Sequence, residues 1–237
     1  AGRHLKKTVL ELGGSNAFIV MPDADLPQAA KDACYSRFRD AGQSCNAAKR
    51  IIVVEAVADQ FIPLFLAECA KLKSGHPKDA DTTLAPLHRE DLRDTVHGQV
   101  HDAIEHGADC LMGGEMPAGK GWFYPATVLD RVNPACRVYH EEVFGPVAMI
   151  LRANNEAHAV ELANDSPFGL GAAIYSGNTE QAWQYAEHIQ AGSVFINRHT
   201  SSDLRLPFGG VKASGYGREL SEFGLYEFVN VKTYWQK

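Results

Sequence analysis

The sequence predicts an α/β domain of three layers built around a mainly parallel sheet, and three observations carry that prediction. Candidate strands alternate with helices of ten or more residues, as crossovers between parallel strands require. The run Ile51-Ile52-Val53-Val54 is β-branched without alternation, the composition of a strand buried on both faces. A chain of 237 residues at 45% hydrophobic content has ample material for a buried core.

The elements follow in chain order. Lys6 to Leu12 holds Thr8, Val9 and Leu10, a short strand-like run that delivers Glu11 into the Gly13-Gly14 turn. Ala17 to Val20 reads as a buried strand that ends in the turn Met21-Pro22-Asp23-Ala24-Asp25, with Asp25 as N-cap of a helix to Phe38. In that helix Leu26, Ala29, Ala30, Ala33, Cys34 and Phe38 recur at helical spacing, so Cys34 is expected on the buried face. Lys49 to Glu55 is a strand, and Ala56 to Lys73 a helix expected to turn Phe61, Leu64, Phe65 and Ala67 to Cys69 inward. Glu90 to His106 is a polar helix. Short strands are expected at Asp109 to Met112 and Ala126 to Leu129, then one at Val147 to Leu151 and a helix from Glu156 to Ala163. Asn164 to Leu170 breaks the chain before a strand at Gly171 to Tyr175, a helix at Thr179 to Ile189 and a strand at Ser193 to Ile196. Beyond the glycine-rich Pro207 to Gly217 segment, Arg218 to Gly224 reads as a short helix and Tyr226 to Trp235 alternates as a tail strand.

Composition excludes several functions. The balance of 23 basic against 29 acidic side chains, net charge -6, offers no basic block to a phosphate backbone, so nucleic acid is not an expected partner. Five scattered cysteines without a Cys-x-x-Cys pair argue against a disulfide framework and a zinc ribbon, and for a reducing, cytoplasmic compartment. The longest apolar runs are too short to span a bilayer, and Ala1-Gly2-Arg3-His4 opens no signal-peptide core. His97, His101 and Glu105 share one helix face at i, i+4 and i+8, but the zinc-hydrolase pattern is missing, so a solvated face is expected and no metal.

Two segments carry candidate chemistry. In Ala41-Gly42-Gln43-Ser44-Cys45 a bend precedes a thiol suited to attack a carbonyl, and in Leu10-Glu11-Leu12-Gly13-Gly14 a carboxylate suited to activate water precedes a glycine pair. Together with His140-Glu141-Glu142-Val143-Phe144-Gly145-Pro146 and the run Pro207 to Glu219, they resemble the signature segments of the aldehyde dehydrogenase family, in the family's order and over nearly the whole chain.

The resemblance implies Cys45 as nucleophile and Glu11 as general base. The aldehyde adds to Cys45 as a thiohemiacetal, gives a hydride to NAD or NADP, and leaves a thioester that water hydrolyses. A thiol at its ordinary pKa is only a few per cent ionised near neutrality, so Cys45 is expected beside backbone N–H groups. Glu11, between Leu10 and Leu12, is expected to have a raised pKa. Relatives that transfer the acyl group to coenzyme A lack this glutamate, so its presence implies release of a free acid. Leu12, Glu142 and Phe144 match the cofactor-contacting positions: a backbone contact to the nicotinamide amide, the ribose carboxylate, and a ring near the nicotinamide. The run Phe38 to Arg50 resembles the succinate-semialdehyde dehydrogenases, which implies Arg39 as a fork for the substrate's distal carboxylate and Ser201 or Ser202 as a second donor.

By the same resemblance residues 1–12 are the end of a cofactor-binding domain and its linker, 13–224 the catalytic domain, and 225–237 an intersubunit tail strand. The chain is then expected to be the C-terminal part of a longer homo-oligomer, a dimer or tetramer, and to bind cofactor poorly alone. Two alternatives remain: a dehydrogenase for uncharged aldehydes, and a noncatalytic assembly module that has kept the fold.

Overall fold

A seven-stranded sheet forms the middle layer of the computed structural model, which describes all 237 residues. In chain order the elements are β1 (Leu10–Glu11), β2 (Asn16–Val20), α1 (Leu26–Phe38), β3 (Ala48–Val54), α2 (Glu55–Cys69), α3 (Glu90–Glu105), β4 (Asp109–Met112), β5 (Thr127–Asp130) and α4 (Arg137–His140). They continue with β6 (Val147–Ala153), α5 (Glu156–Asn164), β7 (Phe168–Gly169), β8 (Gly171–Tyr175), α6 (Thr179–Ala186), β9 (Ser193–Ile196), β10 (Val211–Lys212), β11 (Gly215–Tyr216) and α7 (Ser221–Glu227).

The central sheet runs β4-β5-β6-β3-β2-β8-β9, parallel throughout except for the antiparallel edge pair β4-β5. The expected α/β class is therefore the observed one. The crossover from β2 to β3 steps one way along the sheet, and those from β6 to β8 and β8 to β9 step the other way. Right-handed crossovers then put α1 and α2 on one face and α5 and α6 on the opposite face. With both faces covered, β2, β3 and β8 are buried at every position.

Local chemistry sets the helix ends. Asp25 caps α1 by accepting from the Gln28 amide (3.1 Å), and Asn155 and Asn178 cap α5 and α6 the same way. Arg50, buried in β3, donates to the carbonyls of Leu162 (2.7 Å) and Ala163 (2.9 Å) at the end of α5 and to Ser15 (2.8 Å), tying helix, strand and glycine turn together.

Several expected boundaries shift. α2 ends at Cys69, because the next turn tightens into bonds from Lys71 to Glu68 and from Leu72 to Cys69. Phe61, Phe65 and Cys69 face inward at four-residue spacing, whereas Leu64 and Ala67 fall on the solvent side. α6 stops at Ala186 in a similar tightened turn. Leu220 and Ser221 adopt positive φ (61° and 52°), which delays the last helix to Ser221 and draws Tyr226, expected in the tail strand, into α7. Residues 228–237 form neither helix nor strand within this single chain.

β2 starts just after Gly13-Gly14-Ser15 and β3 just after Cys45, so both candidate segments meet at the amino edge of the parallel sheet. Open α/β sheets commonly bind ligands at the opposite, carboxyl edge.

Candidate active site

α1 ends at Phe38 and the chain bends hard before Cys45. Asp40, Ala41 and Gly42 are consecutively left-handed, at φ 55°, 52° and 71°. Such backbone costs a non-glycine residue on the order of 1–2 kcal/mol, so the surroundings must hold it. Arg37 does so from full burial: its Nη2 donates to the carbonyls of Gly42 (2.9 Å), Val143 (3.4 Å) and Gly145. A Cβ on Gly42 would collide with that guanidinium and with the Gly145 carbonyl, so the position requires glycine twice over.

Cys45 itself is half-buried. Lys49 Nζ donates to the carbonyls of Ser44 (2.9 Å) and Cys45 (3.0 Å). The Asn46 carbonyl accepts from Asn16 Nδ2 (3.0 Å) and Thr200 Oγ1 (2.6 Å), and Asn16 Oδ1 accepts from the Gly171 amide (2.9 Å). The turn is thereby fastened to β2, β3 and the loop after β9.

The glutamate arrives from the other side of the same edge. A Cβ on Gly14 would lie 2.6 Å from the Cys45 carbonyl oxygen, so the two backbones touch, and Glu11 is only three residues upstream. β1 pairs antiparallel with β11, Glu11 opposite Gly215. Both Glu11 carboxyl oxygens are buried without a hydrogen-bond partner. Burial raises its pKa, the nearby Glu219 carboxylate raises it further, and the Arg218 guanidinium opposes both. The raised value was expected, but its source differs. Leu10 and Leu12 are exposed, because strand alternation sends them away from Glu11, and the desolvating wall includes Gly209, where a Cβ would come within 3.0 Å of Oε1.

Glu142 stands where the two segments join. Its Oε1 accepts from the Gly14 amide (3.0 Å) and lies 3.2 Å from Lys49 Nζ, while its Oε2 borders Gly13 closely enough that no Cβ would fit there. Phe144 is half-buried, its ring centroid 5.9 Å from Lys49 Nζ. The Leu12 amide is spent on the Ser214 carbonyl (3.1 Å). A partly exposed carboxylate and a half-exposed ring suit a diol and a flat heterocycle, so these residues fit a nicotinamide riboside.

The expected substrate contacts divide. Arg39 Nη2 reaches Asn46 Oδ1 (3.4 Å), which also accepts from Ser44 Oγ (2.7 Å), so Arg39 lies beside the Cys45 turn. Ser201 Oγ is buried without a partner and follows Thr200, which holds the Asn46 carbonyl from the other side. Ser202 is exposed. Both serines line a cavity of about 330 Å³ with Trp183, Phe195 and Phe208, whereas Arg39 lines a different one with Tyr35 and Lys71. Sequence reasoning missed Lys49, Arg37, Asn16 and Thr200. Lys49 left a signal, an ammonium in a strand that also holds Arg50 and otherwise only apolar residues; the others left none. His97, expected on a solvated face, is half-buried against Tyr124, 3.3 Å from its hydroxyl.

Residues 1–234 match the family model described as the aldehyde dehydrogenase family. The chain is 52% identical over 236 residues to the NAD(P)+ succinate semialdehyde dehydrogenase of Escherichia coli, covering 100% of this chain and 51% of that protein. It is 49% identical over 235 residues to an aldehyde dehydrogenase of Paenarthrobacter nicotinovorans, covering 99% and 51%. Among solved structures, succinic semialdehyde dehydrogenase from Streptococcus pyogenes in complex with NADP+ superposes with a TM-score of 0.94 at 44% identity, covering 97% of this chain and 50% of that one. The chain thus spans about half the length of the relatives it matches.

Proposed function

The chain belongs to the aldehyde dehydrogenase family, and from that premise we propose that it oxidises succinate semialdehyde to succinate as part of an NAD- or NADP-dependent enzyme. The observation that carries this reading is the meeting of Gly14 with the Cys45 carbonyl, which puts a thiol and an unpartnered, desolvated carboxylate on one edge of the sheet.

In this reading Cys45 Sγ adds to the aldehyde carbon and holds it as a thiohemiacetal. A nicotinamide bound against Leu12, Glu142 and Phe144 supplies a hydride acceptor. The thioester left on Cys45 is then open to water, from which Glu11 takes a proton; its raised pKa makes it a stronger base than an ordinary carboxylate. Arg39 offers the substrate's far carboxylate a guanidinium beside the Cys45 turn, and the unpartnered Ser201 hydroxyl, which lines a separate cavity, is the weaker candidate for a second donor. The 237 residues alone are proposed to turn over little, because their relatives are about twice as long. A homo-oligomer, dimer or tetramer, is proposed from the exposed Leu225, Tyr226, Phe228, Val231 and Trp235 near the carboxyl end. The proposed compartment is the cytoplasm; no helix is long and apolar enough to cross a membrane.

Thiol alkylation tests the assignment of Cys45. Cys34, Cys69 and Cys136 are buried and Cys110 is exposed, so accessibility alone favours Cys110. Iodoacetamide followed by peptide mapping is expected to label Cys45 first; labelling of Cys110 ahead of it would defeat the reading. Arg39→Ala in the full-length enzyme tests the substrate. A charge-assisted bond to a carboxylate is worth roughly 1.5–3 kcal/mol, so kcat/KM on succinate semialdehyde should fall about tenfold to a hundredfold while an uncharged aldehyde is spared. Equal losses on both would favour an enzyme for uncharged aldehydes.

A further inference from the structure

Lys49 is the least expected residue of the site. Its side chain is fully buried in β3, where an ammonium costs several kcal/mol unless its donors are used. All of its acceptors belong to the proposed machinery. Two are the carbonyls of Ser44 and Cys45, and the third is Glu142 Oε1, the oxygen that also takes the Gly14 amide. Arg37, equally buried, spans the same two stretches of chain, from the Gly42 carbonyl to those of Val143 and Gly145. Two buried cations thus bridge the turn that carries Cys45 and the segment that carries Glu142 and Phe144.

We propose that Lys49 is a positioning residue that clamps the Cys45 turn to the Glu142 carboxylate, so that the nucleophile and the ribose-holding group keep one relative geometry before the cofactor arrives. The proposal rests on the roles given above to Cys45 and Glu142. It separates the two oxygens of Glu142: Oε1 is committed to Lys49 and Gly14, and Oε2 is left to accept from a sugar hydroxyl. The charged and titratable groups facing the ammonium are Glu142, which favours it, Arg37 from α1, which opposes it, and Cys45 from the turn. Burial, joined by Arg37, outweighs Glu142 and Cys45 and holds the Lys49 pKa down to about 8. Above that pH the amine becomes neutral and the ion pair with Glu142 is lost.

The test uses the full-length enzyme, wild type and Lys49→Met, with two readouts that need no turnover: the iodoacetamide rate at Cys45 without cofactor, and the NAD(P)+ dissociation constant from quenching of protein fluorescence. In Lys49→Met, Cys45 labelling should slow and the dissociation constant should rise, each by roughly tenfold. In wild type the dissociation constant should also rise as pH passes about 8, a step the variant lacks. Lys49→Met with both readouts unchanged, or only one changed, overturns the clamp. If that variant fails to fold, the wild-type series decides, and a flat dissociation constant across the Lys49 titration overturns it. A wild type in which Cys45 is not labelled ahead of Cys110 overturns the functional reading along with the clamp; normal wild-type preference with an unaffected variant overturns the clamp alone.

Discussion

Cys45 follows three left-handed residues on a turn fastened to the central sheet through Lys49, Asn16 and Thr200, whereas Glu11 stands on a two-residue strand paired only with β11. Around the thiol, backbone carbonyls are taken up by buried cations and amides. Around the carboxylate, both oxygens are buried and unpartnered. A nucleophile must meet a carbonyl at one angle, and rigid attachment serves that. A base must take a proton from water, and a carboxylate held by strong donors would be too weak a base to do so. The contrast between an over-determined turn and an unsatisfied acid is what two successive steps, acylation and hydrolysis, would require.

The largest effect should come from breaking the unsatisfied side. Glu11→Gln in the full-length enzyme keeps shape and volume but removes the base. General-base contributions run to roughly 10²–10⁴-fold, so steady-state turnover should fall in that range while a pre-steady-state burst of NAD(P)H survives, because acylation does not use Glu11 in the proposed mechanism. Loss of the burst together with turnover would move Glu11 out of the hydrolytic step. Rapid-quench or stopped-flow absorbance measures both phases.

The fastened side breaks at Gly42. Gly42→Ala puts a Cβ against the Arg37 guanidinium and the Gly145 carbonyl on a backbone at φ 71°. Left-handed strain of about 1–2 kcal/mol and displacement of a buried guanidinium add, so urea denaturation should show a destabilisation of roughly 2–4 kcal/mol. A change below about 0.5 kcal/mol would mean that the turn is looser than its hydrogen bonds imply.

These two sides were not equally legible in the sequence. The parallel sheet announced itself through Ile51 to Val54, because a strand buried on both faces has little choice of side chain. The Cys45 and Glu11 segments were visible because each is a short contiguous run that, taken together with the others, resembles the signature segments of the aldehyde dehydrogenase family; neither residue stood out by itself. What holds them was not local. Arg37 reaches Val143 and Gly145 more than a hundred residues away, and Thr200 reaches Asn46 across 154 positions, so neither leaves a periodic trace. Glu11 shows the same limit in reverse: its raised pKa was anticipated from its neighbours in sequence, but the groups that desolvate and repel it, Gly209 and Glu219, come from the far end of the chain. The tail residues form no strand in the single chain for a related reason, since alternation at Tyr226 to Trp235 describes a strand only where a partner is present to pair with it.

The smallest expected effect sharpens the comparison most directly, because it measures what the unsatisfied carboxylate costs. Burial and Glu219 raise the Glu11 pKa above its ordinary value. The folded state therefore holds the Glu11 proton more tightly than the unfolded state does. By linkage this group contributes stability that is fully present below the ordinary carboxylate pKa and is lost as pH rises through the raised folded value. Glu11→Gln removes the titration. Near neutrality the variant should be slightly more stable than wild type, and the difference should shrink and disappear as pH falls below the ordinary carboxylate range. Denaturant midpoints for the two proteins at a series of pH values measure it. A variant less stable than wild type at neutral pH would show that the Glu11 carboxylate is satisfied in solution, and the base would then be no freer than the nucleophile.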